Sequence, residues 1–359
     1  MTFNTWQGGG NVDNGPSKVL HQIKIQNPDI ILIQESRPHL TRYLLAGLGY
    51  SWTACINHAD VKHEKNVILS RFPIVKRHEF IYSNEPLVVG CRLQISRYPV
   101  KLNINVWNVH LYWGYYTPYA ACLKQVASAY QLYLCERAGN PANENVTRPG
   151  RLQQLFTLFK HEDFWNSVTD EADDHGSLND NTIGRSSQGG NDFKNVISAN
   201  SNNNLWIDSD QQQLSVAGPR FVTPLILGGD FNSPSHLDWV EETSDFHCGM
   251  SYRYPVSTLL SDYGFKDSFR QIHPDPRRDP GNTWSPLYKY QSEWQGVFIP
   301  EPQDRIDFLY YKGSGIVPRS SWVTHGSDPI RLAPHYRTNQ WPSDHSAVVT
   351  DFEVNAVNL

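Results

Sequence analysis

The chain has 359 residues, with 31 Lys and Arg against 36 Asp and Glu and a formal net charge of −5. A chain with this charge has no overall positive field to attract nucleic acid or an anionic membrane, so any binding of phosphate has to be local. Hydrophobic residues make up 39% of the chain and aromatic residues 12%. This composition supports a sizeable core and excludes a disordered chain or a coiled coil, so a folded globular protein is expected.

No stretch of the sequence approaches the roughly 20 consecutive apolar residues of a membrane span, so no transmembrane segment is expected. The chain begins at Met1 with a strand-like alternation and without a basic and apolar leader. Secretion is favoured if a leader is missing upstream, and otherwise the cytoplasm is expected. The five cysteines form no CxxC pair. Their odd number argues against a zinc ribbon and against a fully paired disulfide framework.

Short apolar runs alternate with helical patterns along the chain, which is typical of an α/β or layered α+β domain. A short strand is predicted at the N-terminus, and a helix follows at 16–26, because Gly-Pro-Ser marks a helix start. The other clear strands are predicted at 30–34, 66–69, 102–109, 225–227, 306–311 and 347–352. The other helices are predicted at 40–48, 120–137, 151–159 and 256–263.

Residues from about 166 to 218 differ from the rest of the chain, because Asn, Asp, Ser, Gly and Gln dominate there and apolar periodicity is lost. The strand pattern resumes after this segment. We therefore predict a single domain over residues 1–359 with a long polar surface insertion, which is not a linker between two domains. Such a composition is more typical of a flexible segment than of a recognition loop.

Polar side chains stand at the ends of several predicted strands. Glu35 directly follows the apolar strand at 30–34, and His110 follows the strand at 102–109. By the two-residue period of a strand, Asn108 and His110 share one face. Each of these residues taken alone is more often solvated or structural than catalytic. Their recurrence at strand ends is the observation that points to a site.

Three later segments repeat this pattern. Two glycines lead into Asp230, and the period of two points Asp230 and Asn232 to the same side, with an Asx turn as the structural alternative. Asp307 lies in an otherwise apolar strand, where an unpaired carboxylate is costly, so a partner is expected for it. The structural alternative to a site role is an ion pair with an arginine. Asp344 and His345 precede the last strand, and such a pair suits a metal ligand beside a proton-transfer group.

These residues, taken in order, resemble the endonuclease/exonuclease/phosphatase superfamily, which includes deoxyribonuclease I, apurinic endonucleases, neutral sphingomyelinases and inositol polyphosphate phosphatases. The ordered set spans nearly the whole chain and consists of Asn4, Glu35, His110-Leu111, Gly229-Asp230-Phe231-Asn232, Asp307 and Ser343-Asp344-His345. The resemblance implies an α/β (α+β) four-layer sandwich of the deoxyribonuclease I type. In that fold two mixed β-sheets pack face to face, flanked by helices, with the site at one end.

The resemblance also implies a metal site and a proton-transfer group. Glu35, with Asn4 beside it and Asp344 nearby, would hold a divalent metal, which is expected to be Mg²⁺ with Mn²⁺ as a substitute. Carboxylate oxygens suit these ions. His345, oriented by Asp307, would act either as the general base or as a charged stabiliser of the transition state.

The remaining roles implied by the resemblance concern water and phosphate. Asp230 would orient or deprotonate the attacking water, while Asn232 and His110 would donate hydrogen bonds to the phosphate oxygens. Glu64 and Asn108 are candidate supporting residues, Glu64 as a partner of His110. The aromatic candidates for a substrate rim are Tyr112, Trp113, Tyr115, Tyr116 and Trp284. Packing of these rings within the domain is the alternative.

The predicted function is Mg²⁺-dependent hydrolysis of a phosphate ester, a phosphodiester above all, by in-line attack of water, in a monomer. One alternative is a nuclease that acts on DNA or RNA. Another is a sphingomyelinase-like enzyme or an inositol or sugar phosphatase. An alternative from another class is a catalytically silent module that binds carbohydrate or lipid. Among basic residues Arg270, Arg277 and Arg278 cluster, and a solvated loop is favoured for them over a nucleic-acid contact.

Overall fold

The computed structural model describes residues 1–49, 51–56, 66–78, 88–97, 100–114, 116–123, 132–133, 136–137, 150–161, 164, 223–291 and 299–354. The predicted insertion at 166–218, Glu64 and Tyr115 lie outside the described residues. Most of the predicted helix at 120–137 also lies outside them.

The described residues contain fourteen strands. In chain order they are β1 Thr2–Asn4, β2 Ile30–Gln34, β3 Thr53–Ile56, β4 Val67–Ser70, β5 Ile74–His78, β6 Val88–Arg97, β7 Val100–His110, β8 Leu225–Asp230, β9 Lys266–Asp267, β10 Tyr290–Gln291, β11 Ile299–Pro300, β12 Asp307–Lys312, β13 Ile316–Thr324 and β14 Ala347–Val354.

Six α-helices have both of their ends among the described residues. They are α1 Gly15–Gln26, α2 Pro38–Leu48, α3 Thr117–Cys122, α4 Arg151–Lys160, α5 Pro255–Asp262 and α6 Ser268–Ile272. A proline stands in the first turn of α1, α2, α3 and α5, where its missing N–H costs no intrahelical hydrogen bond. Every described helix is too short or too polar to span a lipid bilayer.

Two six-stranded sheets are formed, and each contains one parallel pair at its centre. The first has the order β13-β14-β1-β2-β4-β3, and the second has the order β5-β6-β7-β8-β12-β9. In the first sheet β1 and β2 run parallel, and in the second β7 and β8 do so. Their other neighbours are antiparallel, so both sheets are mixed, as predicted.

The sheets pack face to face and helices cover their outer faces. The layer between the sheets contains Leu32 and Ile68 from the first and Val106 and Leu309 from the second. Helices α1 and α2 pack on the outer face of the first sheet, and α4 and α5 pack on the outer face of the second. The predicted four-layer sandwich is confirmed.

Gly229 allows the two central strands of the second sheet to lie close together. Its φ of 139° is accessible mainly to glycine, and a Cβ at this position would lie 1.9 Å from the carbonyl oxygen of Val109 in β7. The glycine therefore fixes the approach of β8 to β7 one residue before Asp230.

Two further features concern the chain as a whole. A disulfide joins Cys122 to Cys248, and Cys55 and Cys91 are free and buried, so the described cysteines are not fully paired. Residues Met1–Asp170 and Val222–Leu359 form one compact unit. The single-domain assignment over the full length stays a prediction, because residues 171–221 lie outside the described part.

Candidate active site

The site lies where the central strands of both sheets end. The parallel strands β1 and β2 end side by side at Asn4 and Gln34, and Glu35 follows directly. In the other sheet β7 and β8 end with His110 paired to Asp230. The side chain of Asn4 reaches Asp230, so the two sets of strand ends meet at one end of the sandwich.

One carboxylate oxygen of Asp230 is the point on which the site converges. Asn4 donates a hydrogen bond through Nδ2 to Oδ2 of Asp230 at 2.9 Å. The Nε2 atoms of His110 and His345 lie 3.6 Å and 3.7 Å from the same oxygen. Burial, followed by the charge of Asp307, raises the pKa of Asp230, and the two imidazoles oppose this rise. Asp230 is thus a buried acceptor suited to taking up a proton.

His345 is held between two carboxylates. Its Nδ1 lies 2.9 Å from Oδ2 of Asp307, and both side chains are buried. Burial acts to lower the pKa of His345, but the charges of Asp307 and Asp230 outweigh it and raise the pKa to about 10. The partner of the buried Asp307 carboxylate is therefore a histidine and not an arginine. At neutral pH this histidine is an imidazolium with Nε2 towards Asp230.

Glu35 and Asp344 form the acidic part of the site. Glu35 accepts hydrogen bonds from Nδ2 of Asn4 at 3.3 Å and from the backbone N–H of Gln7 at 2.9 Å. Its φ of 55° is left-handed, a strain that clusters at functional positions. Asp344 is buried, and its Oδ1 has no hydrogen-bond partner within the described part of the chain. Burial, to which the charges of Glu35 and Asp230 add, raises the pKa of Asp344 to about 8.

This donor set fits a hard divalent cation. An unpartnered buried carboxylate oxygen is costly, and a cation shared by Asp344 and Glu35 removes that cost. Carboxylate oxygens are the ligands that Mg²⁺ and Mn²⁺ prefer. Asn4 lies beside Glu35, but its Oδ1 accepts the N–H of Trp6 at 3.0 Å. In this arrangement the Nδ2 of Asn4 orients two carboxylates, and its Oδ1 keeps one lone pair, so its role as a metal ligand stays a prediction.

A second acidic group lies close by. Asp230, Asp307 and His345 each have a potential ligand atom, and these atoms lie within 4.8 Å of one another. Nδ1 of His345 already pairs with Asp307, whereas Oδ1 of Asp344 has no hydrogen-bond partner in the described part of the chain. Asp344, with Glu35 nearby, therefore fits a cation without breaking the pair of His345 with Asp307.

The chain matches the model of the Endonuclease/Exonuclease/phosphatase family over residues 1–345. The chain belongs to this family. It is 31% identical over 352 residues to "Uncharacterized protein F14F9.5" of Caenorhabditis elegans, which covers 98% of this chain and 90% of that protein.

Solved structures also resemble this member of the Endonuclease/Exonuclease/phosphatase family. D. rerio TDP2 complexed with single strand DNA product is 11% identical, covers 98% of each chain and has a TM-score of 0.50. Mannosyl-6-phosphatase Bt3783 of Bacteroides thetaiotaomicron is 12% identical, covers 98% of this chain and 97% of that one, and has a TM-score of 0.48. At such identities the likeness shows the fold alone.

Asn232 and Asn108 occupy different places. Asn232 lies in the site, where its backbone N–H donates to Oδ1 of Asp230 at 2.9 Å and its Nδ2 donates to the carbonyl of Leu111 at 3.0 Å. Asn108 lies between the sheets, where its Nδ2 donates to the backbone carbonyls of β2 and β4 and its Oδ1 accepts from Gln34. Asn108 thus joins the sheets beneath the site and does not face Asp230.

The described aromatic candidates for the rim also differ from one another. Trp284 packs against the ring of His345 at 4.9 Å, and Trp113 is 52% exposed next to Tyr112. Tyr116 is buried, and its hydroxyl donates to the carboxylate of Asp304 at 2.8 Å. Tyr116 is therefore a packing residue, which corrects its prediction as part of the rim.

Three hydroxyls for which no role was predicted position the segments that carry the candidate site residues. Thr283 Oγ1 accepts the backbone N–H of Asp307 at 3.1 Å. Ser285 Oγ donates to the carbonyl of Asp344 at 2.8 Å, and Ser343 Oγ donates to the backbone of β1 at 2.7 Å. Ser343 stands in the Ser343-Asp344-His345 segment of the resemblance, but a hydroxyl that binds distant backbone leaves no periodic signal in the sequence.

A buried ion-pair cluster lies just before Asp307. Arg305 donates to Asp238 at 3.0 Å and to Asp267 at 2.6 Å, and Arg270 donates to Asp238 at 2.6 Å. Arg270 and Arg305 are both buried. The expectation that Arg270 belongs to a solvated loop is therefore wrong, because two carboxylates and several carbonyls compensate its burial.

Proposed function

We propose that this chain hydrolyses phosphate esters, phosphodiesters above all, with Mg²⁺ and by in-line attack of water. Members of the Endonuclease/Exonuclease/phosphatase family hydrolyse phosphate esters. The observation that carries the proposal is the convergence of Asn4, His110 and His345 on one oxygen of Asp230, beside the unpartnered Asp344. Acceptors and donors suited to water and to a phosphate thus lie within one small volume.

Glu35 and Asp344 would hold the cation. When bound, Mg²⁺ neutralises charge on the phosphate and polarises the ester. The Nδ2 of Asn4 lies between Glu35 and Asp230 and donates a hydrogen bond to each. It thereby fixes the position of the metal-binding carboxylate relative to that of the proton acceptor.

Asp230 is the proposed proton acceptor for the attacking water. Its raised pKa makes it a better base than an ordinary aspartate. His345 is the proposed donor to a phosphate oxygen, since Asp307 occupies its Nδ1 and leaves Nε2 for the substrate. His110 and Asn232 complete the donors around the same oxygens. Preorganised donors matter because negative charge grows on these oxygens, and loss of one costs about 3 kcal/mol in barrier height.

The direct test is hydrolysis of bis(p-nitrophenyl) phosphate by purified wild type and Asp230→Asn. The variant should retain its fold by circular dichroism and lose activity about 1000-fold or more, because Asn accepts no proton from water. The matched control is Asp262→Asn, which changes an exposed aspartate at the end of α5. Full activity in a folded Asp230→Asn protein would overturn the proposal.

Chelation tests the metal. Activity should disappear with EDTA and return with Mg²⁺ or Mn²⁺. A chain that binds ligands but hydrolyses no ester with any divalent ion would be the catalytically silent module instead. A panel of plasmid DNA, RNA, sphingomyelin, phosphoinositides and sugar phosphates then separates the ester classes.

A further inference from the structure

One neighbour of the His345 ring is the indole of Trp284. The two ring centres lie 4.9 Å apart, and the ring planes are inclined at 58°. The hydrogen bond between Nδ1 of His345 and Asp307 holds one edge of the imidazole, but a single hydrogen bond does not fix the tilt of the ring. Contact with the indole restricts this tilt. The orientation of Trp284 therefore helps to set where Nε2 of His345 points.

The backbone of Trp284 is tied to two segments of the site. Trp284 and Asp304 exchange two backbone hydrogen bonds of 2.9 Å each. On its other side Trp284 forms a β-bridge with His345, and the N–H of Ser346 donates to the carbonyl of Thr283 at 2.8 Å. These bonds fix the point at which the indole side chain begins, but its rotation needs a further contact.

A buried carboxylate supplies that contact. Nε1 of Trp284 donates a hydrogen bond to Oε1 of Glu301 at 2.7 Å. Glu301 is 5% exposed, whereas Trp284 is partly exposed. The indole has one N–H donor, and a hydrogen bond to an ionised acceptor is stronger than one between neutral groups. Glu301 therefore holds the polar edge of the ring that packs against His345.

Glu301 is itself fixed from several directions. The hydroxyl of Tyr119 donates to the same Oε1 atom, and the backbone N–H of Glu301 donates to the carbonyl of Lys289 at 2.9 Å. Pro300 and Pro302 flank Glu301, and a proline restricts both its own backbone and that of the residue before it. A carboxylate with so little freedom can hold the indole in one orientation.

The two hydrogen bonds are the main compensation for burying the Glu301 carboxylate. Burial raises the pKa of Glu301, and the hydrogen bonds from Tyr119 and Trp284 oppose this rise, followed by the charge of Lys289. Lys289 is exposed, so water screens its charge. Loss of a hydrogen bond to a buried carboxylate is costly, so the bond to Trp284 is expected to persist.

We propose that Glu301 is a positioning residue for His345 and acts through the indole of Trp284. Glu301 precedes Asp307 in one segment of the chain, so this segment holds His345 from two sides, directly at Nδ1 and through the indole. The inference rests on the proposed function for the role of His345 and adds a residue outside the reacting groups. The competing explanation is that Glu301 only stabilises its own loop.

The test compares Glu301→Leu with Glu301→Gln in the hydrolysis of bis(p-nitrophenyl) phosphate with Mg²⁺. Leu removes the acceptor at similar size, whereas the amide oxygen of Gln still accepts from Trp284 and Tyr119. Glu301→Leu should lower kcat by about 10- to 100-fold, the range for displacing a reacting group by about 1 Å. KM should stay unchanged, because the buried Glu301 does not contact the substrate. Glu301→Gln should keep the kcat of wild type, and equal kcat values in the two folded variants would overturn the inference.

Trp284→Phe tests the same link and replaces the first test if Glu301→Leu does not fold. It removes the indole N–H and keeps an aromatic ring. The matched control is Trp239→Phe, because Nε1 of Trp239 also donates to a buried carboxylate, that of Asp304 at 2.8 Å, but its ring packs on His247. Trp284→Phe should lower kcat and Trp239→Phe should not. Equal kcat values, or a raised KM in Trp284→Phe without a fall in kcat, would contradict the positioning role.

A double-mutant cycle tests whether Glu301 and Trp284 act together. In the Trp284→Phe background, Glu301→Leu should lower kcat much less than it does in wild type, because the hydrogen bond between the two side chains is already absent. Additive effects of the two substitutions would show that Glu301 acts by another route, and the inference would then be wrong.

An NMR measurement separates this inference from the proposed function. The ring protons of His345 sense the orientation of Trp284 through its ring current, so their chemical shifts should change in Glu301→Leu and stay as in wild type in Glu301→Gln. Unchanged shifts in Glu301→Leu would refute the positioning role alone. If wild type hydrolyses no bis(p-nitrophenyl) phosphate with any divalent ion, the proposed function fails, and the chemical shifts still decide whether Glu301 positions the rings.

Discussion

Replacing Asp307 by Asn tests how the site keeps His345 charged. The substitution preserves the size of the side chain and removes a negative charge 2.9 Å from Nδ1 of His345. With an effective dielectric constant of about 20, two unit charges at that separation attract by about 6 kcal/mol. Burial of the imidazolium offsets part of this attraction. One neighbouring charge commonly shifts a pKa by about 1–3 units. We therefore expect the pKa of His345 to fall by that amount from about 10.

The assay is the rate of ester hydrolysis with saturating Mg²⁺ as a function of pH. The protonated form of His345 is lost as pH rises through its pKa. Asp307→Asn should therefore lose activity at a pH about 1–3 units lower than wild type does. At neutral pH the variant should lose less kcat than at alkaline pH, because much of its His345 is still protonated there.

Asp262→Asn again serves as the control and should leave the alkaline limb in place. An NMR titration of the His345 ring measures the pKa without turnover. An unchanged alkaline limb in a folded Asp307→Asn protein would refute the reasoning, as would a pKa for His345 equal to that of wild type.

Two further predictions concern stability. Mg²⁺ at about 100 times its dissociation constant should stabilise wild type by about 2.7 kcal/mol, and Asp344→Asn should abolish this effect in thermal unfolding. Without metal, Asp344→Asn should be more stable than wild type at alkaline pH. A carboxyl group whose pKa rises to about 8 on folding destabilises the fold increasingly as pH rises towards that value. Arg305→Met should lower the free energy of unfolding by about 3–5 kcal/mol in urea, because Asp238 and Asp267 lose a buried partner; a loss within error of zero would contradict this.

The strands that could be predicted from sequence are those with a single hydrophobic periodicity. The strand at Ile30–Gln34 agrees to the residue, because an apolar run buried on both faces has no competing register. Strands β6 and β13 were not predicted, because polar residues interrupt both and Pro318 lies within β13. The order of the strands within each sheet could not be predicted from local patterns either, since strands far apart in the sequence pair with each other. Thr2, for example, pairs with Val348.

The site residues divide in the same way, into those that a local sequence pattern indicates and those whose position depends on partners far away in the sequence. A carboxylate after a strand can be recognised locally, and the structure brings Glu35, Asp230 and Asp344 together. The buried position of Arg270 could not be predicted, because its partner Asp238 lies 32 residues away and nothing in its own segment indicates burial. Partners of buried charges are set by tertiary packing, which single-sequence patterns do not describe.

The charge of the site bears on how a chain with a net charge of −5 would bind a phosphate. Four carboxyl groups, those of Glu35, Asp230, Asp307 and Asp344, stand beside two imidazoles, so the metal-free site offers a phosphate no excess of positive charge. Burial, to which the charges of neighbouring carboxylates add, raises the pKa of both Asp230 and Asp344. In the proposed function a divalent cation would supply the missing positive charge, so phosphate binding would depend on the metal more than on the charge of the rest of the chain.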